Sequence, residues 1–531
     1  METGENKGKK RTYWNLVIAV ICLFFLAAHF FTRCNNRREL AVNDHKWDKL
    51  LLILDQIEKN YVDTINYNEI VEKILPDVME HLDPHSVYLP PQELEAAEES
   101  LEGNFSGIGI QFNVPNDTAI VISVIPGGPS ERAGLLSGDR IIKVGGKTVA
   151  GVKMNQDSLV KRMKGPQGSE VQIEVMRDNL AELVPFTIRR DKIPVKSIDV
   201  AFMINDTLGY IKLSKFTRTS YKEFVKAMDG IKEKGMKALI FDLRDNTGGY
   251  LDQALLLSNE FLSKGDLIVY MQGIHRKRQD FFADGKGKWQ DVNLYVLVNE
   301  GSASSSEIFA GAIQDNDRGT IVGRRSYGKG LVQEPIYFSD KSGIRLTVAR
   351  FYTPTGRCIQ KPYSEDYQYD IYERYKHGEM TVADSIKRND SLRYTTPKGK
   401  VVYGGGGIIP DVFVPIDTVG VTDFLVAVNR KSLQMKYSIQ LADQYRARLR
   451  EVKTFPQLEQ LISSIDIGNG FLAFAKANNV VPKPGEWEKS GEILVTQIKG
   501  LFGRYSVLDD NAFYPYILRL DNYIKAIETK K

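Results

Sequence analysis

Four serines precede a segment with helical periodicity in "GSASSSEIFAGAIQD", residues 301–315. A serine hydroxyl in such a turn can attack a carbonyl carbon when a neighbouring base removes its proton. The same position is also a usual place for a helix cap, and Ser304 with Glu307 has the Ser-x-x-Glu spacing of a capping box. On spacing alone a cap is the commoner outcome. The choice therefore depends on whether the chain supplies a base.

We predict that this base is a lysine rather than a histidine. None of the six histidines, at positions 29, 45, 81, 85, 275 and 377, is in the strand ends near Ser304, although folding could bring His275 close. Lys329 lies in "YGKGLVQ", between two glycines that allow close backbone approach. A lysine acts as a base only if burial lowers its pKa from about 10.4 to roughly 7–8. Gln333 could orient the amine without restoring its charge.

The helix that starts near Ser304 directs its first N–H groups and the positive end of its dipole toward the same turn. An oxyanion formed there would accept hydrogen bonds from the backbone of Ser305 and of Gly248 or Gly249, in "DLRDNTGG". These groups together suit acyl transfer. A cap and a nucleophile are compatible, because a cap fixes the position of the serine.

Strands and helices alternate from Leu208 onward, and the strands "KALIFDL" and "LYVLV" are almost continuously apolar. This pattern predicts an α/β core with a largely parallel sheet. "DLRDNTGG" and "VNEGSASSS" each follow a strand and precede a helix. Ligands in such cores lie at the carboxyl ends of the strands, so we expect one site there.

Residues 103–190 contain short β-branched runs separated by turn signals such as "PGGP" and "GPQG". A glycine-containing strand in any small barrel would give part of this pattern, but the order of elements resembles a PDZ domain. In that case "GIGI", which is Gly107, Ile108, Gly109 and Ile110, is the loop that binds a peptide's terminal carboxylate. A groove lined by Ile108, Ile110 and Leu159 would favour an apolar last side chain.

Residues 12–32 carry no charge and are long enough to cross a bilayer as a helix. A cleaved signal peptide is the alternative, but the segment is long for that role and no small-x-small cleavage site follows it. We therefore predict a membrane anchor. The 71 basic and 67 acidic residues give a net charge of +4 without a dense basic stripe, so no nucleic-acid partner is expected.

These patterns predict a multidomain α/β protein with a helical N-terminal arm, an inserted PDZ-like β-rich domain and a helical C-terminal extension. The predicted boundaries are an N-terminal segment (1–11), a transmembrane anchor (12–32), a helical region (45–102), a PDZ domain (103–190), an α/β core (191–417) and a helical extension (418–531). Basic residues flank the anchor on both sides, so charge does not indicate its orientation.

The combination of "LDPHSVYL", the PDZ-like stretch, "DLRDNTGG", "GSASSSEIFAGAIQDNDRGTIVGRRSYGKGLVQ", "RFYTPTGR" and "GIIPD" resembles the C-terminal processing peptidases, also called tail-specific proteases. The resemblance implies a serine endopeptidase with a crotonase-like core that forms an acyl-enzyme without cofactor or metal. It maps the nucleophile to Ser304, the base to Lys329 and the supporting amide to Gln333. Ser305 departs from the usual alanine and leaves a second hydroxyl beside the nucleophile.

The resemblance also implies protein or peptide substrates with free C-termini, received by the PDZ domain. It implies a bacterial inner-membrane location, with a single pass and the catalytic part in the periplasm. A catalytically silent PDZ scaffold of the cell envelope is the alternative function, and the joint presence of Ser304, Lys329 and Gln333 argues against it. The oligomeric state and the physiological substrates are not indicated by the sequence.

Overall fold

A computed structural model describes most of the chain, namely residues 19–25, 48–114, 117–177, 182–364 and 367–529. The chain divides into two compact units, residues 1–75 and 76–531. In the first unit, residues 19–25 are helical (α1) and α2 spans Asp48–Asn60. Helix α3 (Tyr67–Glu80) begins in the first unit and ends in the second.

The predicted membrane anchor, residues 12–32, lies largely outside the described residues. Within the described part of the chain, no helix is both long enough and apolar enough to cross a bilayer. The longest one, Glu486–Gly503, carries charged side chains along its length, whereas a crossing needs about 20 mostly apolar residues. This finding overturns the predicted single-pass location in the inner membrane with a periplasmic catalytic part.

The predicted small β-rich domain is present as an antiparallel sheet in the order β3-β4-β5-β7-β8, with β6 paired to β5. In β7, side chains alternate between the interior and the surface, so Val171, Ile173 and Val175 enter the domain's apolar core. β3 lies at the edge of this sheet, and β2 pairs with β9 where the chain enters and leaves the domain. The elements from the end of α3 to this point are β1 (Val87–Leu89), α4 (Pro91–Glu102), β2 (Asn104–Gly107), β3 (Ile110–Asn113), β4 (Ala119–Val124), α5 (Pro129–Ala133), β5 (Arg140–Val144), β6 (Lys147–Thr148), α6 (Gln156–Met163), β7 (Glu170–Met176), β8 (Val184–Arg189) and β9 (Asp191–Pro194).

The α/β core contains a six-stranded sheet in the order β10-β11-β12-β15-β16-β21, in which only the β10–β11 pair is antiparallel. All five residues of β12 are buried, as expected for a strand covered on both faces. A second sheet has the order β1-β18-β13-β14, with β17 paired to β18. The core elements are β10 (Ile198–Met203), β11 (Leu208–Leu213), α7 (Ser220–Lys232), β12 (Ala238–Asp242), α8 (Leu251–Asn259), β13 (Leu267–Gly273), β14 (Arg276–Phe282), β15 (Asn293–Val298), α9 (Ser305–Asp315), β16 (Thr320–Gly323), β17 (Leu331–Tyr337), β18 (Gly343–Tyr352), α10 (Asp370–Lys376), β19 (Arg393–Thr395), β20 (Val401–Tyr403) and β21 (Val412–Phe413).

The C-terminal part is helical, as predicted, and has its own apolar core. It contacts the small β-rich domain through an ion pair between Arg140 and Asp443. Its last helix packs Tyr523, Ile524 and Ile527 into a cluster with the core sheet. Its helices are α11 (Asp423–Arg430), α12 (Leu433–Gln444), α13 (Arg446–Glu451), α14 (Phe455–Ser463), α15 (Ile467–Ala477), α16 (Glu486–Gly503), α17 (Asp510–Ile517) and α18 (Asn522–Glu528).

Candidate active site

Three neighbouring parallel strands deliver the predicted site residues to one edge of the core sheet. β12, β15 and β16 lie side by side, and each is followed by a loop on the carboxyl side. We name these the glycine loop (residues 243–250), the serine loop (residues 299–304) and the lysine loop (residues 324–330). Because parallel strands end at the same edge, residues far apart in sequence meet there.

Burial and hydrogen bonding distinguish the four serines of the cluster. Ser302, Ser305 and Ser306 are at most 1% exposed. Their hydroxyls donate to main-chain carbonyls of the glycine loop: Ser302 to Leu243 (2.8 Å), Ser305 to Gly249 (2.9 Å) and Ser306 to Asn246 (2.8 Å). Ser304 alone among the four is partly exposed. The second hydroxyl that the sequence left open, that of Ser305, is thus engaged in holding two loops together.

The backbone of Ser304 is strained. Its φ is 55° with ψ −114°, a conformation that residues with a Cβ rarely adopt. Such outliers persist where surrounding contacts enforce them, and they cluster at functional sites. Gly248 leaves room for this turn, since a Cβ on Gly248 (φ 99°) would lie 2.8 Å from both the Ala303 carbonyl oxygen and the Ser304 Cβ.

The two predicted glycine donors differ in their hydrogen bonds. The Gly248 N–H donates to Asn246 Oδ1 at 2.9 Å. Gly249 (φ 148°) lies so close to Phe216 that a Cβ there would be 2.0 Å from the Phe216 carbonyl oxygen, so only glycine fits. The Ser305 N–H lies at the first helical position of α9, where N–H groups have no partner within the helix.

Glu307 joins the serine loop to the lysine loop, a role beyond the capping spacing seen in the sequence. Its fully buried carboxylate accepts four hydrogen bonds: from the N–H groups of Ser304 (2.9 Å), Gly328 (2.7 Å) and Lys329 (2.8 Å) and from the Ser326 hydroxyl (2.5 Å). Ser304 and Lys329 donate to the same oxygen atom, Oε2. The backbones of the predicted nucleophile and the predicted base are therefore held next to each other.

Lys329 and Gln333, the predicted base and its supporting amide, are hydrogen-bonded to each other. Lys329 Nζ donates to Gln333 Oε1 at 2.9 Å, from the lysine loop to strand β17. Burial and the positive charge of Arg345 hold the pKa of Lys329 below its ordinary value, against the opposing charges of Asp83 and Glu307. The side chain of Gln333 is a neutral amide, so its contact with the amine adds no negative charge that would raise the pKa of Lys329 again.

Sequence reasoning missed His85, which lies in the quoted motif "LDPHSVYL" but was set aside as distant. Its carbonyl oxygen accepts a hydrogen bond from Gln333 Nε2 at 2.5 Å, and its ring bonds the Tyr367 hydroxyl at 2.6 Å. Burial, followed by the charge of Lys329, lowers the pKa of His85 to about 4, so the ring is neutral at pH 7. His275 lies in the turn between β13 and β14, outside the three loops that form the site.

The predicted peptide-binding residues lie together in the small β-rich domain. Gly107 ends β2, Gly109 turns the chain with φ 75°, and Ile110 begins the edge strand β3. The carbonyls of Ile108 and Gly109 accept from the N–H groups of Ser130 and Ile125, which fixes the loop. Ile108 and Leu159 are each 3% exposed and belong to the core, while Ile110 packs against that core.

Much of the chain is similar in sequence to known proteins. The sequence matches peptidase family S41 over residues 207–371, the PDZ domain over residues 106–187, and a family of unknown function over residues 424–507. The carboxy-terminal processing protease CtpA of Bacillus subtilis is 32% identical over 326 residues, 61% of this chain and 69% of that protein. A carboxy-terminal-processing protease of Bartonella bacilliformis is 35% identical over 346 residues, 63% of this chain and 78% of that protein.

Among solved structures, the photosystem II D1 C-terminal processing protease is 25% identical and covers 72% of this chain and 95% of its own, with a TM-score of 0.36. The PDZ domain of a carboxy-terminal protease from Vibrio cholerae, in complex with peptide, is 36% identical and covers 17% of this chain and 99% of its own, with a TM-score of 0.16. These low scores support no argument about geometry. The identity and coverage of the curated relatives do show the family: this chain belongs to the carboxy-terminal processing proteases of peptidase family S41, and it is a serine-type protease with a PDZ domain.

Proposed function

We propose that this protease cleaves peptide bonds with a Ser304–Lys329 dyad and forms an acyl-enzyme intermediate. The neutral Lys329 amine takes the proton of the Ser304 hydroxyl as its oxygen attacks the carbonyl carbon. The resulting ammonium then gives a proton to the leaving amine as the peptide bond breaks. In the second step Lys329 takes a proton from water, which attacks the ester, and returns it to the serine oxygen.

The observation that carries this proposal is the engagement of the three other serine hydroxyls by the glycine loop, which leaves Ser304 as the exposed hydroxyl of the cluster. The strained backbone of Ser304 and the shared carboxylate of Glu307 support it. The direction of the Lys329 pKa shift supports the base role, since burial increases the neutral fraction of the amine.

We assign the oxyanion donors to the backbone N–H groups of Gly249 and Ser305. Gly248 is the weaker of the two glycine candidates, because its N–H already bonds Asn246. Its contact with the Ser304 turn gives it a positioning role instead. Gln333, held by the His85 carbonyl, orients the amine of Lys329.

For the substrate, we propose that the PDZ domain binds free C-termini with an apolar last residue. A peptide would extend the sheet along β3, which has no strand on its outer edge among the described residues. The turn at Gly109 can present successive N–H groups to a carboxylate. Binding the tail raises the effective concentration of the upstream chain at Ser304.

We also propose the domain boundaries predicted above for the region after residue 45. The pairing of β2 with β9 supports the PDZ limits of 103 and 190, because it brings entry and exit of that domain together as expected for an insertion.

Two substitutions test the dyad. Ser304→Ala and Lys329→Ala are each expected to abolish cleavage of an unstructured protein while leaving the circular dichroism spectrum unchanged, and the double variant should be no worse than either. Ser305→Ala is the matched control: it removes one hydroxyl contact between the loops but keeps the Ser305 N–H, so it should retain measurable activity. Full activity of Ser304→Ala would place the nucleophile elsewhere, and an intact wild-type chain that cleaves nothing would favour a scaffold.

A pair of peptides tests tail recognition separately. The value of kcat/KM is measured for an unstructured peptide that ends in a free apolar residue and for its amidated copy. We expect the amidated copy to be cleaved less efficiently, because it lacks the charge that accepts the loop's hydrogen bonds. Equal values would refute tail recognition and leave the dyad untouched.

A further inference from the structure

The lysine loop is held on one side by a chain segment outside the predicted site. Residues 325–328, which immediately precede Lys329, have no regular secondary structure. A buried loop of this kind needs partners for its own N–H and C=O groups. We give the name clasp segment to residues 361–364 and 367–386, which follow β18 and include α10, because they supply many of those partners.

Arg374 of the clasp segment bonds three consecutive carbonyls of the lysine loop. Its Nη1 donates to the carbonyl oxygens of Ser326 (2.8 Å) and Arg325 (3.4 Å), and its Nη2 donates to that of Tyr327 (3.1 Å). The side chain is 3% exposed and is paired with Asp370 at 2.8 Å. A guanidinium with this fan of donors suits several acceptors at once, whereas an ammonium does not.

Two further clasp residues hold the same loop. Lys361 donates its N–H to the Gly328 carbonyl at 3.0 Å, and its ammonium lies 4.1 Å from the ring centroid of Tyr327. Glu379 accepts two hydrogen bonds from the Arg325 guanidinium, at 2.5 and 2.6 Å. Every residue from 325 to 328 thus has a partner in the clasp segment.

Glu307 contacts the opposite side of the loop, where it accepts the N–H groups of Gly328 and Lys329. Three carbonyls of the loop therefore bond the Arg374 guanidinium, and two of its N–H groups bond the Glu307 carboxylate. A shift of the loop would break buried hydrogen bonds to both charged groups, and hydrogen bonds to charged partners are the most costly to lose.

We propose that Arg374 is a positioning residue for catalysis, which fixes the lysine loop so that the Lys329 amine is held for proton transfer. The inference rests on the proposed dyad. The clasp segment also reaches the Lys329 amine through a chain of hydrogen bonds. The Tyr367 hydroxyl bonds the His85 ring, the His85 carbonyl accepts from Gln333, and Gln333 accepts from the Lys329 amine.

The test compares Arg374→Gln with Lys376→Gln, an exposed position on the same helix. We expect Arg374→Gln to lower kcat at least about tenfold, because small displacements of reacting groups are costly, while KM changes less than about twofold. The limb of the pH profile that rises with pH should also move to higher pH, because a looser loop lets water reach the Lys329 ammonium. The charged groups that face this amine, Arg345, Asp83 and Glu307, are unchanged in the variant. Lys376→Gln should match wild type, and Arg374→Lys should recover part of kcat.

An Arg374→Gln enzyme with unchanged kcat and unchanged pH profile would overturn the proposal, as would an equal loss in Lys376→Gln. If Arg374→Gln loses its cooperative unfolding transition, Arg374→Lys decides, because it keeps the buried charge but cannot bond all three carbonyls. A wild-type kcat and pH profile in Arg374→Lys would also overturn the proposal. Lys329→Ala is measured alongside. Activity retained in that variant refutes the dyad, whereas an inactive Lys329→Ala with a fully active Arg374→Gln refutes only the positioning role.

Discussion

Replacing Glu307 with glutamine tests whether one buried carboxylate sets the geometry of the whole site. Each carboxylate oxygen accepts two hydrogen bonds: Oε2 from Ser304 and Lys329, and Oε1 from Ser326 and Gly328. Glutamine keeps one acceptor oxygen and places an NH₂ group where the other stood. Two of the four donors would then face another donor.

The expected loss of stability follows from the number of hydrogen bonds that the substitution removes. Each hydrogen bond to a charged acceptor contributes about 1.5–3 kcal/mol, so losing two costs roughly 3–6 kcal/mol. Part of that loss is offset, because a neutral amide is easier to bury than a carboxylate, and burial here raises the pKa of Glu307. We expect a net loss of about 2–4 kcal/mol in the free energy of unfolding. A shift of about 1 Å between Ser304 and Lys329 would lower kcat/KM roughly 100-fold.

Urea unfolding followed by fluorescence and initial rates of peptide cleavage measure the two effects. The control is Glu492→Gln on the exposed side of α16, which should stay within about 0.5 kcal/mol of wild type and keep full activity. A Glu307→Gln protein with wild-type stability and wild-type kcat/KM would show that the four hydrogen bonds do not position the site.

Three further outcomes are expected. Arg345→Gln removes a positive charge that lowers the pKa of Lys329, so the limb of the kcat/KM profile that rises with pH should move to higher pH. Arg350→Gln on the same strand is the control and should leave that limb in place. His85 is neutral in the folded state because its pKa is lowered to about 4, so wild type should lose stability as pH falls from about 6.5 to 4. Urea unfolding at pH 7 and pH 4.5 should show a smaller loss in His85→Gln, and an equal loss would contradict this reasoning. Gly248→Ala should abolish cleavage, because the added Cβ would displace the Ser304 turn, and an active Gly248→Ala enzyme would contradict this tight contact. The control is Gly230→Ala on α7, where a Cβ has open space; this variant should stay active and unfold at a slightly higher temperature than wild type.

The sequence by itself determined the α/β core, the small β-rich domain and the helical C-terminal part. These follow from local patterns, since strands buried on both faces are continuously apolar and helices repeat every 3.6 residues. It also identified Ser304, Lys329 and Gln333 as candidates, because two loops at strand ends and a glycine-flanked lysine are visible as short motifs. The predicted single-pass location in the inner membrane was wrong, because no helix in the described part of the chain is long and apolar enough to cross a bilayer.

Only the tertiary structure decided which serine hydroxyl is exposed, because burial of Ser302, Ser305 and Ser306 depends on carbonyls of a loop more than fifty residues away in sequence. The contacts from His85 to Gln333 and from Arg374 to the lysine loop join segments that are separate in sequence. Side chains and loops reach such partners through the packing of whole domains, so their roles cannot be inferred from spacing along the chain.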